Sequence, residues 1–220
     1  LDAGGDGRFL FFPIPGDEGL PGLKFLQDLA EKDPYSRRVL VFPFRFRDGF
    51  LAALQGATYG LMPSLYEPFG GANEFYLSGT PGVARATGGL AQQIVPVRNA
   101  ASFTSSVERV ARRWIPKNAS PTGFLFREPD GMPSAVRDWQ GICAGAYNKT
   151  GGEPNRVWER SRFALFMGMG QALQQALHDA ASLYRDDRDA YYKMLAAGVA
   201  HINATFSWES AAKHYLEGLV

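Results

Sequence analysis

The sequence predicts an α/β fold, a doubly wound parallel sheet followed by a helical C-terminal segment. Three observations predict it. Short apolar runs closed by Pro or Gly alternate with helix-period stretches through the first half. Alternation at this spacing implies βαβ units and a parallel sheet covered on both faces. From Val157 onward, by contrast, apolar residues recur at helical spacing.

The elements follow in order. Arg8-Phe9-Leu10-Phe11-Phe12 reads as a buried strand closed by Pro13 and Pro15-Gly16. Leu20 to Lys32 reads as an amphipathic helix with Leu23, Leu26, Leu29 and Ala30 on one face. Arg38-Val39-Leu40-Val41-Phe42 is the second strand, stopped by Pro43, and a short helix covers Gly49 to Gln55. Tyr59-Gly60-Leu61-Met62-Pro63 is the third strand. A short helix at Asn73 to Leu77 leads to a fourth strand, Gly82-Val83-Ala84-Arg85. Residues 115–160 are rich in Pro, Gly and Asn. They read as a loop-rich insertion around a strand at Gly123-Phe124-Leu125-Phe126, with a helix near 134–147. Val157 to Tyr184 is helical, broken at Arg185-Asp186-Asp187, and Arg188 to His201 is the next helix. Trp208 to Leu219 closes the chain, with Ser207 as its N-cap. Arg112, Arg113 and Trp114 read as a surface helix end, and Gly168-Met169-Gly170 as a helix packing point.

Composition excludes several classes. The chain has 220 residues, 45% hydrophobic and 20% charged. That is enough to bury a core without staples, as one large domain or one and a half small ones. Lys+Arg total 23 against 22 Asp+Glu, so the net charge is +1. This argues against nucleic acid or an anionic membrane as partner. No apolar run approaches the roughly 18–20 residues that span a bilayer. A single cysteine, Cys143, excludes intrachain disulfides and cysteine zinc sites. A reducing, cytoplasmic compartment is the expectation. Residue 1 is Leu rather than Met, so the chain is expected to be a piece of something longer. His178, His201 and His214 lie in the helical part, far from any candidate site, and read as bystanders along with Cys143.

Chemistry is expected at the carboxyl ends of the strands, where open parallel sheets bind ligands. The third strand exits through Met62-Pro63-Ser64-Leu65-Tyr66-Glu67-Pro68-Phe69-Gly70-Gly71-Ala72-Asn73-Glu74. Glu67 stands on the exit loop, and its two carboxylate oxygens suit a pair of ribose hydroxyls. Amides of Gly70, Gly71 and Ala72 at the start of a helix suit a phosphate. The fourth strand exits likewise, through Arg85-Ala86-Thr87-Gly88-Gly89-Leu90-Ala91. Two such junctions in succession point to a nucleotide crevice without saying which nucleotide.

The stretch Gly56-Ala57-Thr58-Tyr59-Gly60-Leu61-Met62-Pro63-Ser64-Leu65-Tyr66-Glu67-Pro68-Phe69-Gly70-Gly71 resembles the donor-binding core of bacterial glycogen synthases and starch synthases. Arg85 to Leu90, Thr122 to Phe126, and Phe206-Ser207-Trp208-Glu209-Ser210-Ala211-Ala212 continue the likeness. Together they cover nearly the whole chain, with 127–160 least well matched. The resemblance implies the C-terminal, Rossmann-like half of a GT-B glycosyltransferase. It implies a retaining hexosyltransferase that takes ADP-glucose or UDP-glucose and extends an α-1,4-glucan, with no metal and no other cofactor. It also implies that an Arg/Lys diphosphate clamp and the acceptor-binding domain lie upstream of residue 1, so the domain is truncated at its N-terminal edge. The isolated chain is then expected to lack turnover.

Carried over by the resemblance, Glu67 contacts the donor's ribose or sugar, and Gly70, Gly71 and Ala72 face its phosphate. Thr87, Gly88 and Gly89 form a second donor loop. Phe44 and Phe46 are candidates to stack the base, with Arg45 and Arg47 beside them. Related enzymes carry a second glutamate eight residues after the first; here that position is Phe75, and Glu74, one earlier, is the candidate. A hydroxyl residue is common where Ala72 stands. These two departures motivate an alternative, a non-catalytic domain of the same fold for glucan binding or assembly. A nicotinamide-binding domain is disfavoured, because no Gly-x-Gly-x-x-Gly follows the first strand. The oligomeric state is open.

Overall fold

The computed structural model describes residues 7–11, 19–32, 35–36, 38–42, 47–65, 67, 70–131 and 162–218. Tertiary contacts group the chain into two compact units, one drawn from 1–50 with 130–170, the other from 51–129 with 171–220. Both are α/β with parallel strand pairing, and the C-terminal segment is helical, as the periodicity predicts.

In the first unit, β1 (Phe9–Phe11) pairs in parallel with β2 (Val39–Val41), Phe9 opposite Val39 and Phe11 opposite Val41. Backbone bonds from Phe9 N–H to Arg38 (2.7 Å) and from Phe42 N–H to Phe11 (2.9 Å) extend the ladder at its two ends. The crossover a parallel pair requires contains α1 (Gly19–Ala30). On its exposed face Lys24 bonds Asp28 one turn on, at 2.7 Å. Helix α2 (Arg47–Gly56) follows β2, its residues up to Phe50 belonging to this unit and those from Leu51 to the second.

The second unit carries β3 (Gly60–Met62), β4 (Gly82–Arg85) and β5 (Phe124–Phe126), in the spatial order β3-β4-β5 and all parallel. Leu61 lies opposite Val83, and Val83 opposite Phe124. The connections contain α3 (Gly71–Leu77), then α4 (Leu90–Gln93) and α5 (Ser105–Ala111). After them come α6 (Ala164–Asp186, in this unit from Gln171), α7 (Arg188–Phe206) and α8 (Trp208–Glu217).

Side-chain alternation along the strands sorts the core into two layers. Met62, Ala84 and Leu125 face one way, packed with Ala72 and Tyr76 of α3, Leu90 of α4, Val107 of α5 and Ile202 of α7. Val83, Phe124 and Phe126 face the other way, against Ala176 and Ala180 of α6 and Tyr191 and Met194 of α7. Helices therefore cover both faces, and every residue of β4 and β5 is buried. Each large side chain so buried contributes roughly 1.5–3 kcal/mol.

Two long-range anchors order these layers. Tyr76 donates its hydroxyl to the Thr122 carbonyl at 2.8 Å, and Thr122 Oγ1 accepts from Val95 N–H at 2.9 Å. Tyr59 donates to the Ala180 carbonyl and Tyr191 to the Thr58 carbonyl, both at 2.8 Å. Asp187 caps α7 by accepting from Ala190 N–H, and Ser207 caps α8 by accepting from Ser210 N–H, the cap the sequence predicts. Of Gly168-Met169-Gly170, Gly168 and Met169 are buried, as a packing point requires, while Gly170 is exposed and a Cβ on it would meet nothing within 4 Å. The helix expected at 134–147 lies outside the described residues, as does Cys143.

Candidate functional site

The exits of β3 and β4 meet at the carboxyl edge of the sheet. Gly89 N–H donates to the Glu67 carbonyl at 2.9 Å, joining the two loops through their backbones. Gly88 takes φ +44°, and a Cβ built on it would stand 1.8 Å from that same oxygen. Only glycine lets the second loop lie so close against the first. Thr87 Oγ1 reaches the Leu65 carbonyl at 3.3 Å. The structure thus brings together Glu67, Thr87, Gly88 and Gly89 from segments twenty residues apart in sequence.

Glu67 is half-buried, and its Oε1 lies 3.9 Å from where a Cβ on Gly71 would stand. The carboxylate therefore sits beside the start of α3, where the backbone amides are richest in unshared donors. Gly70 turns the chain into that helix at φ +112°, and its carbonyl accepts from Asn73 at 3.0 Å. Ala72 is fully buried, and its methyl belongs to the core packing between α3 and the sheet. Glu74, in the first turn of α3, is exposed. Phe44, Arg45 and Phe46 lie outside the described residues.

Behind the joined loops stands a buried network that sequence reasoning missed. Arg85, the last residue of β4, is 4% exposed, and Glu128, just past β5, is 7% exposed. Arg85 Nε donates to Glu128 Oε2 at 2.9 Å, and Nη2 donates to Oε1. Its remaining arm, Nη1, donates to the Leu65 carbonyl at 2.9 Å. Arg127 Nη1 donates to the Ala86 carbonyl, directly before Thr87. The signal for this network was a charged residue inside the otherwise apolar run Gly82-Val83-Ala84-Arg85 and a glutamate two residues beyond Phe126. Burial works to raise the Glu128 carboxyl, but hydrogen bonds and charge from Arg85 outweigh it and hold the group below the usual carboxylate range. Burial, with the like charge of Arg85, holds the Arg127 guanidinium below the ordinary arginine value.

Two further polar groups lie near α4. Gln93 is fully buried and donates to Asn73 Oδ1 at 2.6 Å, tying α4 to α3. Burial lowers the His201 imidazole below the ordinary histidine value, opposed by the Gln92 backbone. Among the described residues no group of three His, Cys, Asp or Glu converges to hold a metal ion, and no helix is long and apolar enough to cross a membrane.

No protein-family model matches the chain, and no curated protein matches it. Among solved structures it is similar to the sucrose-phosphate synthase of Thermosynechococcus elongatus, at 22% identity with a TM-score of 0.35. The likeness covers 84% of this chain and 46% of that one, so the chain spans a little under half of that protein's length.

Proposed function

We propose that the chain is the donor-binding half of a retaining GT-B hexosyltransferase of the glycogen or starch synthase kind. Its donor is ADP-glucose or UDP-glucose, and its acceptor an α-glucan. The observation that carries this reading is the joining of the β3 and β4 exits, with the Glu67 carboxylate and the glycine amides at one edge of the sheet. A ligand there meets a carboxylate for hydroxyls and backbone donors for an anion within one loop pair. In this reading Glu67 accepts hydrogen bonds from ribose or sugar hydroxyls. Amides of Gly70, Gly71 and Ala72, with the Thr87-Gly88-Gly89 loop, stabilise charge gathering on the departing diphosphate. Preorganisation is what such a site contributes, because donors held by backbone bonds need no reorganisation as charge develops. The reaction class calls for no metal, and Phe44, Phe46 and Arg45 are assigned to the nucleobase by the sequence likeness alone.

A second reading is a non-catalytic domain that binds glucan or supports assembly. It is favoured by the burial of Ala72, whose methyl packs in the core and offers no polar contact to a donor. Calorimetry with ADP, ADP-glucose, UDP-glucose and a maltooligosaccharide separates the two. The first reading expects sugar-nucleotide binding that Glu67→Ala weakens at least tenfold, as for loss of hydrogen bonds to a charged group. Oligosaccharide binding without nucleotide binding would replace it with the second.

A further inference from the structure

We propose that Arg85 is a positioning residue for Glu67, anchored in turn by Glu128. The inference rests on the donor-site reading above and concerns how that site is held.

A buried Arg–Glu pair is a costly way to fill a core. Both ions lose their hydration, and apolar residues of similar volume often serve stability as well or better. What an apolar residue cannot supply is a donor. Arg85 has three donor nitrogens, and each of them donates a hydrogen bond in the structure. Two run in parallel to the Glu128 carboxylate, which fixes the plane and azimuth of the guanidinium. The third is thereby aimed at the Leu65 carbonyl. Leu65 lies two residues before Glu67, and the Glu67 carbonyl is held separately by Gly89 N–H. The Leu65 and Glu67 carbonyls are therefore pinned separately, the first to the last residue of β4 and the second to Gly89 at the start of α4. Strand β4 lies at the centre of its sheet with every residue buried, so the anchor point is rigid. Glu128 works at one remove: it holds Arg85, which holds Leu65, which sets the backbone from which the Glu67 carboxylate projects. Lysine at 85 would keep the charge and lose the fork, so it is not a conservative replacement here.

Two readouts on the full chain test this. The first is amide exchange. Arg85→Met should speed exchange at Gly89 N–H about tenfold, while Val83 and Ala84 in the same strand keep their protection. A merely structural role would raise all of them together. The second is a double-mutant cycle read by calorimetry with ADP-glucose and UDP-glucose. Arg85→Met should weaken binding about tenfold in the wild-type background and less than about twofold when Glu67→Ala is already present. Arg85→Lys should fall with Arg85→Met rather than with wild type. If Arg85→Met does not fold, Glu128→Gln carries both readouts, since it keeps the side chain's shape and removes its charge. The proposal is overturned if Glu67→Ala weakens binding while the Arg85 and Glu128 variants do not. It is equally overturned if the losses simply add, or if all β4 amides lose protection together. If wild type binds neither sugar nucleotide, the donor-site reading fails and takes the proposal with it, an outcome distinct from the other three.

Discussion

Gly88→Ala removes no interaction that Gly88 makes through a side chain, yet it should break the candidate site. The added methyl would stand 1.8 Å from the Glu67 carbonyl oxygen and 2.9 Å from its carbon. These are backbone atoms, which no rotamer change can move aside. To restore 3.0 Å the two loops must separate by about 1.2 Å, and the 2.9 Å bond from Gly89 N–H to Glu67 is lost with that movement. A lost backbone hydrogen bond costs about 1 kcal/mol net. Alanine at φ +44° adds roughly 1–2 kcal/mol of its own. Together these give roughly 2–3 kcal/mol, or a fall in Tm of about 5–10 °C for a chain of this size. Gly79→Ala is the control, because Gly79 also has positive φ but a Cβ there meets nothing within 4 Å. It should show the backbone strain without the separation of loops. The assay is thermal unfolding of both variants, with exchange at the Gly89 amide. A Gly88→Ala protein that unfolds within about 1 °C of Gly79→Ala, with Gly89 still protected, would refute the reasoning.

Other outcomes follow from the same geometry. Tyr76→Phe leaves the buried Thr122 carbonyl without its 2.8 Å donor and should cost about 1–2 kcal/mol, read as a Tm loss of roughly 3–6 °C. Gly198→Ala would press a methyl to 2.4 Å from the Tyr76 ring, and overpacking of about 1–3 kcal/mol should appear in denaturant unfolding. Glu128 has a depressed carboxyl in the folded chain, so it adds stability at neutral pH that disappears as pH falls below the ordinary value of 4.5. Wild type should therefore lose stability on acidification more steeply than Glu128→Gln, and the two should converge at low pH. His201 is depressed as well, so its contribution is full above pH 6.5 and is lost as the imidazole protonates below it. His201→Gln should flatten that part of the stability profile.

Much of the fold was legible because its strands are apolar runs cut off by Pro and Gly. Val39–Val41 and Gly82–Arg85 fall within or upon the runs that predict them, and the burial of β4 and β5 on both faces is what continuous apolar runs imply. Ser207 was legible as a cap because its hydroxyl needs only the amide three residues on, a local relation. Helix α7 runs past His201 to Phe206, since the apolar Ile202 continues its buried stripe where the expected helix had already stopped. The site was legible in its parts and not in its assembly. Residue type marked Glu67 and the two glycine pairs, but which loop lies on which is a tertiary relation. Gly88 was expected to let a backbone approach a ligand; in the structure its bare Cα admits the Glu67 carbonyl. Arg85 was read with its loop only as part of a motif, because its two partners lie 43 and 20 residues away. The pairing of β4 with β5, across α4 and α5, brings Glu128 to it. No local periodicity carries that information.

The central claim is that the joined exits of β3 and β4 take a sugar nucleotide. The most direct measurement is amide chemical-shift mapping of the isotope-labelled chain titrated with ADP-glucose and, separately, UDP-glucose. The account predicts saturable shifts clustered at Gly70, Gly71, Ala72, Gly88 and Gly89, with Val107 and the α7 amides unmoved. Shifts confined to other parts of the chain, or none at millimolar nucleotide sugar, would contradict it.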